Sequence, residues 1–384
     1  MLKKTFLHPQ HEKLKAKFTE FGGWDMPVQY TSIIDEHNAV RNSVGIFDTS
    51  HMGTFIISGE NAGKFLDYVT ISDMANLPLY KARYSMLLNE NGGIKDDIIV
   101  YKFKDYYMMI VNAGNLDKDF KWLNDNKNDK KFDFVEIKNL SSEISMTAVQ
   151  GPKACEIISK ITDEDISLMK YFTAKDIKFK DCENAEFSKI ARTGYTGEDG
   201  FEILVSNNCA ENIWNKLIEL GAKPCGLGCR DTLRLEACMP LHGHEISEEI
   251  TPIDAGFIKT IFWNKDFIGK AAIEKIKGTP SKKSVAFICN GGIARAGDEV
   301  YLNDKKIGYV TSGSFSPTLK KAIGMALIDF DVDVSVVGSS DISDINVSDT
   351  NASDEKNKIQ VKVHNSLRDI TITPKPFYKR AKNK

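Results

Sequence analysis

The sequence predicts a multidomain α+β protein, on two observations. From Phe21 to about Val205 short apolar runs alternate with Gly, Pro, Asn and Asp punctuation, the texture of many strands mixed with helices. Near Lys277 that texture gives way to strand-length runs without helical spacing. The 384-residue length accommodates two or three domains at roughly 100–200 residues each, and domains of that size bury a core of their own.

Ser58 to Val69 reads as a turn at Gly59-Glu60-Asn61 followed by a helix. Tyr84–Leu88 and Ile98–Phe103 read as strands around Asn89 to Gly93, within which Asn91-Gly92 is a hairpin signal. Asn115–Asn126 and Asn212–Leu220 carry apolar residues at the three- and four-residue spacing of helices, and the strands between should pair antiparallel. The basic, Gly/Pro-containing stretch Lys275–Lys283 marks a boundary between residues 1–276, read as two interleaved α+β subdomains, and residues 277–384. Ser284–Ile328, Ile359–Val363 and Ile370–Thr373 look like a small all-β, barrel-like domain. Residues 331–358, rich in Ser, Asp and Asn, read as an exposed acidic loop.

With 51 basic against 53 acidic side chains and a net charge of −2, the chain lacks the basic excess of a nucleic-acid binder. No run approaches the ~18 apolar residues of a membrane span, and the start has no apolar signal region, so a cytoplasmic protein is expected. Seven cysteines, an odd number with no CxxC pair, predict free thiols in a reduced compartment. No GxxxxGK[ST] occurs, and Gly226-Leu-Gly228 lacks the third glycine of a dinucleotide fingerprint, so neither ATP nor NAD is expected. His242-Gly-His244 and the Cys225/Cys229 pair bring no further ligands, and no metal is expected.

Asp96 and Asp97 point to opposite faces of a strand, Asp96 with Ile98 and Val100, Asp97 with Ile99 and Tyr101. Only one of the two can therefore face a cleft; both faces downstream are apolar, so the strand reads as buried, and a carboxylate at its mouth is paired, caps the turn or is functional. After the Asp199-Gly200 turn, Glu202 and Leu204 alternate against Phe201, Ile203 and Val205. If its face is covered, Glu202 needs donors, either an arginine or a planar heterocycle with two adjacent N–H groups; the alternative is a solvated face. Arg230 and Arg234 lie one helical turn apart, as ligand-binding groups or as members of structural ion pairs.

Several segments, in order along the chain, resemble the aminomethyltransferases, the T-proteins of the glycine cleavage system. They are GWDMPVQY (23–30), EHNAVR (36–41), VGIFDTSHMG (44–53), NGGIKDD (91–97), ARTGYTGEDG (191–200), GLGCRDTLRLE (226–236), DFIGK (266–270), VTSGSFSPTL (310–319) and the tail PFYKR (376–380). The resemblance implies ferredoxin-like and Greek-key elements around a central folate channel within residues 1–276, with a C-terminal β-barrel. It implies tetrahydrofolate as co-substrate and lipoylated H-protein as partner; a monomer that meets H-protein transiently is expected, and no Lys/Arg cluster stands out as the docking surface, Lys81, Arg83 and Arg295 being open choices. The implied reaction takes the aminomethyl group from the lipoyl arm, releases ammonia and forms 5,10-methylenetetrahydrofolate.

Residue by residue, the resemblance makes Asp96 the catalytic carboxylate, Glu202 the pterin anchor and Arg230 a second folate-binding group. Asn112 adds a polar contact, and Tyr84, Tyr195, Tyr171, Phe172 and Met52 form walls, the aromatic residues being core residues otherwise. Arg380, or its neighbour Tyr378, closes the site from the C-terminal domain, with the register left open because the 331–358 segment exceeds the family pattern. Two rivals stay open: a related tetrahydrofolate-dependent demethylase, and a non-catalytic folate-binding protein of iron–sulfur assembly, whose expected KGCYxGQE-like motif is missing here.

Overall fold

The computed structural model describes residues 1–180, 182, 184–334 and 358–380. Its chain forms an α+β, multidomain architecture of antiparallel sheets and one closed six-stranded barrel, as the texture predicts. It divides into two compact units: Met1–Leu88, Lys95–Arg230 and Thr260–Ile268 form the first, and Asn89–Ile94, Asp231–Lys259 and Gly269–Lys384 the second.

The first unit holds two larger sheets. One runs, in spatial order, Ala82–Leu88, Ile94–Lys102, Tyr106–Val111, Gly53–Ser58, Glu136–Asn139. The helices Ala62–Val69 and Leu116–Asp129 pack on it, burying Phe55, Phe65, Leu87, Ile98, Val100 and Leu123. The other runs Ala174–Asp176, Ser188–Ala191, Gly200–Ser206, Ile144–Gln150, Gly45–Asp48, Lys223–Pro224, with only the last pair parallel. Its core includes Ile46, Val149, Phe201, Ile203, Val205 and Trp214.

The remaining faces of the two sheets meet each other. Tyr101, Met108 and Ile110 from the first share one apolar cluster with Met146, Ala191 and Leu204 from the second. Both faces of each central strand are therefore buried, and a polar side chain there must find partners or do work.

In the second unit, Lys282–Cys289, Lys321–Asp329, Lys305–Ser316, Glu299–Leu302, Ile359–Val363 and Ser366–Thr373 close into the barrel. Phe287, Val300, Val310, Val361 and Ile372 fill it. Gly324 faces Phe287 so closely that a Cβ there would come within 2.4 Å of the ring. The helix Leu227–Glu236 ends in this unit. Its Glu236 accepts from Ser316 Oγ (2.5 Å) and Thr318 Oγ1 (2.8 Å), and Arg234 donates to Glu245 (3.0 Å) and Ser312 Oγ (2.8 Å). Arg234 is thus a buried structural clamp.

Cys182 and Cys209 form a disulfide where free thiols were expected; a pair 27 residues apart carries no spacing signature. Cys155, Cys225, Cys229, Cys238 and Cys289 are free. Most of the acidic 331–358 segment, residues 335–357, lies outside the described residues. Among the described residues no helix is long and apolar enough to cross a membrane, and no cluster of three or more His, Cys, Asp or Glu is placed to hold a metal.

Candidate active site

The site grows out of the facing sheets of the first unit. Glu202, on the central strand Gly200–Ser206, is 8% exposed and points away from Phe201 and Ile203 toward the other sheet. Its Oε2 accepts from Thr193 Oγ1 at 2.5 Å and from the Tyr101 hydroxyl at 3.2 Å, and these two hydroxyls lie 3.1 Å apart. The Glu202 charge holds the Tyr101 phenol protonated, its pKa pushed up first by burial.

The segment leading into this strand is pinned from several sides. Arg41 donates to the Thr196 carbonyl (2.8 Å) and to Glu198 (3.0 Å), both side chains of the pair being buried. Arg192 grips Asp199 through Nε (3.0 Å) and Nη2 (2.6 Å). Gln150 binds the Thr193 carbonyl (3.1 Å) and the Thr196 hydroxyl (2.9 Å), leaving so little room that a Cβ on Gly194 would fall 2.0 Å from its Oε1. Tyr195 rides on this braced loop.

Arg230 is delivered by the helix Leu227–Glu236, whose start is fixed by Glu36. That fully buried carboxylate accepts from Gly226 N–H at 2.9 Å and from the Tyr30 and Thr31 amides at 2.7 and 2.9 Å. The Arg230 guanidinium lies 4.7 Å over the Tyr195 ring, and no hydrogen-bond acceptor reaches it among the described residues. Burial eases its proton affinity down, opposed by nearby Tyr195 and Glu202. It is a fork of donors without an acceptor.

Asp96 and Asp97 leave the strand Ile94–Lys102 on opposite faces, as the pleat demands. Asp97 turns to the face of Tyr101, where the Tyr84 hydroxyl donates to its Oδ2 at 3.0 Å. Tyr84 in turn feels Tyr195, which closes the circle back to Arg230. Burial and the charge of Asp96 push the Asp97 carboxyl up to about 7. Asp96 turns the other way and is fully buried. Its oxygens accept from Asn112 N (2.9 Å), Asn112 Nδ2 (2.9 Å) and Asn115 Nδ2 (2.5 Å).

Asn112 links the two aspartates, since its Nδ2 also lies 2.7 Å from Asp97 Oδ1 and 3.1 Å from the Asp97 carbonyl. Met52 packs against the cluster that contains Tyr101. Tyr171 and Phe172 are 41% and 44% exposed, and Tyr171 is taken up by Asp199 (2.7 Å) and the Arg192 guanidinium. They form a surface pair apart from the carboxylates. Arg380 belongs to the second unit and is half-buried there.

Three participants were not singled out from sequence. Tyr101 and Thr193 secure Glu202, and His51, 3% exposed, lies beside Arg230 and Asp48 with the Phe21 ring edge-on at 5.7 Å. Burial and the Arg230 charge hold the His51 imidazole neutral, its pKa down to about 4. The strand alternation that puts Tyr101 on the face of Asp97 was the available signal; for His51, in a short turn between strands, no periodicity exists.

The chain matches the family model described as the GCVT N-terminal domain over residues 7–265 and that of the glycine cleavage T-protein C-terminal barrel domain over residues 282–379. It is 45% identical over 390 residues to an aminomethyltransferase of Caldanaerobacter subterraneus subsp. tengcongensis, covering 99% of this chain and 96% of that protein. Against the aminomethyltransferase of Thermoanaerobacter pseudethanolicus the identity is 49% over 337 residues, covering 85% and 90%. The crystal structure of glycine cleavage system aminomethyltransferase T from Bartonella henselae superposes with a TM-score of 0.84 at 31% identity, covering 99% of each chain.

Proposed function

This chain belongs to the glycine cleavage T-protein family of aminomethyltransferases, and from that premise we propose that it takes the aminomethyl group from the lipoyl arm of H-protein, releases ammonia and forms 5,10-methylenetetrahydrofolate. The observation that carries this reading is a set of three unlike groups that two facing sheets and a helix bring together through Tyr101, Tyr84 and Tyr195. They are a carboxylate secured by two hydroxyls (Glu202), a guanidinium without an acceptor (Arg230) and a carboxyl with raised proton affinity (Asp97).

Each group suits a part of tetrahydrofolate, here a substrate. A pterin edge presents an amino group beside a ring N–H, a donor pair that the Glu202 carboxylate accepts. Tyr101 and Thr193 fix the orientation in which it does so. Arg230 offers its planar fork to folate oxygens, and the Tyr195 ring beneath holds it in place. Tyr84 and Met52 supply wall.

Tetrahydrofolate brings the amine nitrogen that attacks the aminomethyl carbon. Asp97 orients that nitrogen and takes up its proton, a task for a base whose pKa lies near the working pH. We assign this role to Asp97 in place of Asp96, which faces the other way with its oxygens engaged by Asn112 and Asn115. Asn112 spends its amide N–H groups on the aspartates and so positions Asp97, leaving its oxygen for ligand.

The test supplies purified protein with aminomethyl-lipoyl H-protein and tetrahydrofolate and follows ammonia and methylenetetrahydrofolate, with folate omitted as control. Folate-dependent release of both products is expected. Folate binding without either product would overturn the proposal in favour of a related demethylase or a binding protein.

A further inference from the structure

Behind the strand that carries Asp97 lies a second acidic group, unused by the reading above. Asp119 sits one turn after Asn115 on the helix Leu116–Asp129, its amide N–H bound to the Asn115 carbonyl at 2.7 Å. Its side chain is fully buried, and no donor reaches either oxygen among the described residues. What it does meet is the Asp96 carboxyl, within hydrogen-bonding reach. Two buried carboxyl groups in such contact repel when both are ionised, and attract when one proton lies between them.

The surroundings indicate which oxygen keeps the proton. Asp96 already accepts from three N–H groups of Asn112 and Asn115. Asp119 has none. The charged and titratable groups facing the pair are Lys95 and Asp97 on the strand and Lys118 on the helix, with Tyr84 beyond Asp97. Lys118 Nζ is engaged by the Lys95 carbonyl at 3.0 Å. Burial and the Asp96 charge hold the Asp119 carboxyl well above the ordinary carboxylate range, against the weaker opposing pull of the two lysines.

We propose that Asp119 keeps its proton and donates it to Asp96, and that this buried carboxyl–carboxylate pair is a positioning element that holds Asn112, and through Asn112 the side chain of Asp97. Asp96, anchored from behind, presents one oxygen to the Asn112 amide, whose remaining N–H then fixes Asp97 Oδ1. Only one negative charge stands behind Asp97, where two would oppose its ionisation further. Asp119 touches no substrate; its effect passes through Asp96 and Asn112. The catalytic part of this inference rests on Asp97 being the working base, whereas the shared proton does not.

The test therefore has a readout without turnover. Infrared spectra of the folded, ligand-free protein in mildly alkaline solution, above the titration of Asp97 and below that of Asp119, should show a protonated carboxyl band that Asp119→Asn removes and Asp97→Asn leaves. Asp119→Asn keeps a neutral donor toward Asp96 and should keep the acid limb of kcat/KM at its wild-type pH. Asp119→Leu removes the donor and should lower kcat at least tenfold, with folate affinity within twofold of wild type. A missing band, or Asn and Leu variants with equal kcat, would overturn the inference; the band without activity loss in Asp97→Asn would instead remove Asp97 from the mechanism.

Discussion

The Tyr101 hydroxyl donates to Glu202 Oε2 at 3.2 Å, a bond that ties the five-stranded sheet of the first unit to its six-stranded sheet. Beside it the two sheets meet through apolar side chains such as Met108, Met146 and Leu204, and this polar contact marks where the interface opens into a site. Because Thr193 donates to the same oxygen, the carboxylate keeps one anchor if the other is lost.

Glu202→Ala should weaken tetrahydrofolate binding by ~1.5–3 kcal/mol, the worth of a hydrogen bond to a charged group, whereas Tyr101→Phe should cost about 1 kcal/mol. Calorimetric titration of both variants measures the difference. Wild-type affinity in Glu202→Ala would remove it as the pterin anchor.

Asp97→Asn should preserve folding and folate affinity and lose turnover by roughly 100-fold or more, the usual contribution of a positioned base. Since Asp97 must be ionised to act and titrates at about 7, wild-type turnover should fall as pH drops below that value. Steady-state rates across the pH range check both; an acid limb that persists unchanged in the residual activity of Asp97→Asn belongs to another group.

How much of this was legible beforehand differs by residue. Alternation along 200–206 and 94–102 separated Glu202 from Phe201 and Asp96 from Asp97, because side-chain direction in a strand is a local property. Which face of the Asp96–Asp97 strand meets the other sheet is decided by packing between elements far apart in sequence, and the choice of Asp96 as the catalytic carboxylate had no local means of testing it. Asp119 has the ordinary look of an acid in a helix's first turn, complementing the helix dipole, and only burial exposes it as something else.

Arg230→Lys keeps the charge and loses the planar fork that lies over Tyr195. Folate affinity should fall about tenfold, ~1.4 kcal/mol, with the melting temperature nearly unchanged. Equal affinity would show that a point charge suffices and that no bidentate contact forms there.

Arg41→Met leaves the buried Glu198 carboxylate without its guanidinium, and breaking such a pair costs about 3–5 kcal/mol. The loop carrying Tyr195 loses its Thr196 brace at the same time, so folate affinity should drop along with stability. Urea unfolding together with folate titration separates the two effects; a stable variant with normal binding would show that Arg192 and Gln150 brace the loop unaided.

Stability should depend on pH in two opposite senses. Asp97 and Asp119 hold protons in the folded chain that the unfolded chain releases above about pH 4, so the folded state binds more protons and stability declines as pH rises, from about 4 through 7 for Asp97 and on through about 10 for Asp119. Asp48 behaves in reverse. His11, Ser50 and Thr5 bind its carboxylate and outweigh burial, lowering its pKa to about 2. Its contribution is complete above about pH 4 and is lost as pH falls toward 2. Urea unfolding free energies should therefore peak between these windows, in mildly acidic solution. Asp119→Asn removes one proton-holding group and should flatten the decline on the alkaline side, while Asp48→Asn should flatten the decline on the acid side. If Asp119→Asn leaves the alkaline slope as steep as in the wild-type chain, Asp119 is ionised in the folded state and the lysines beside it outweigh its burial.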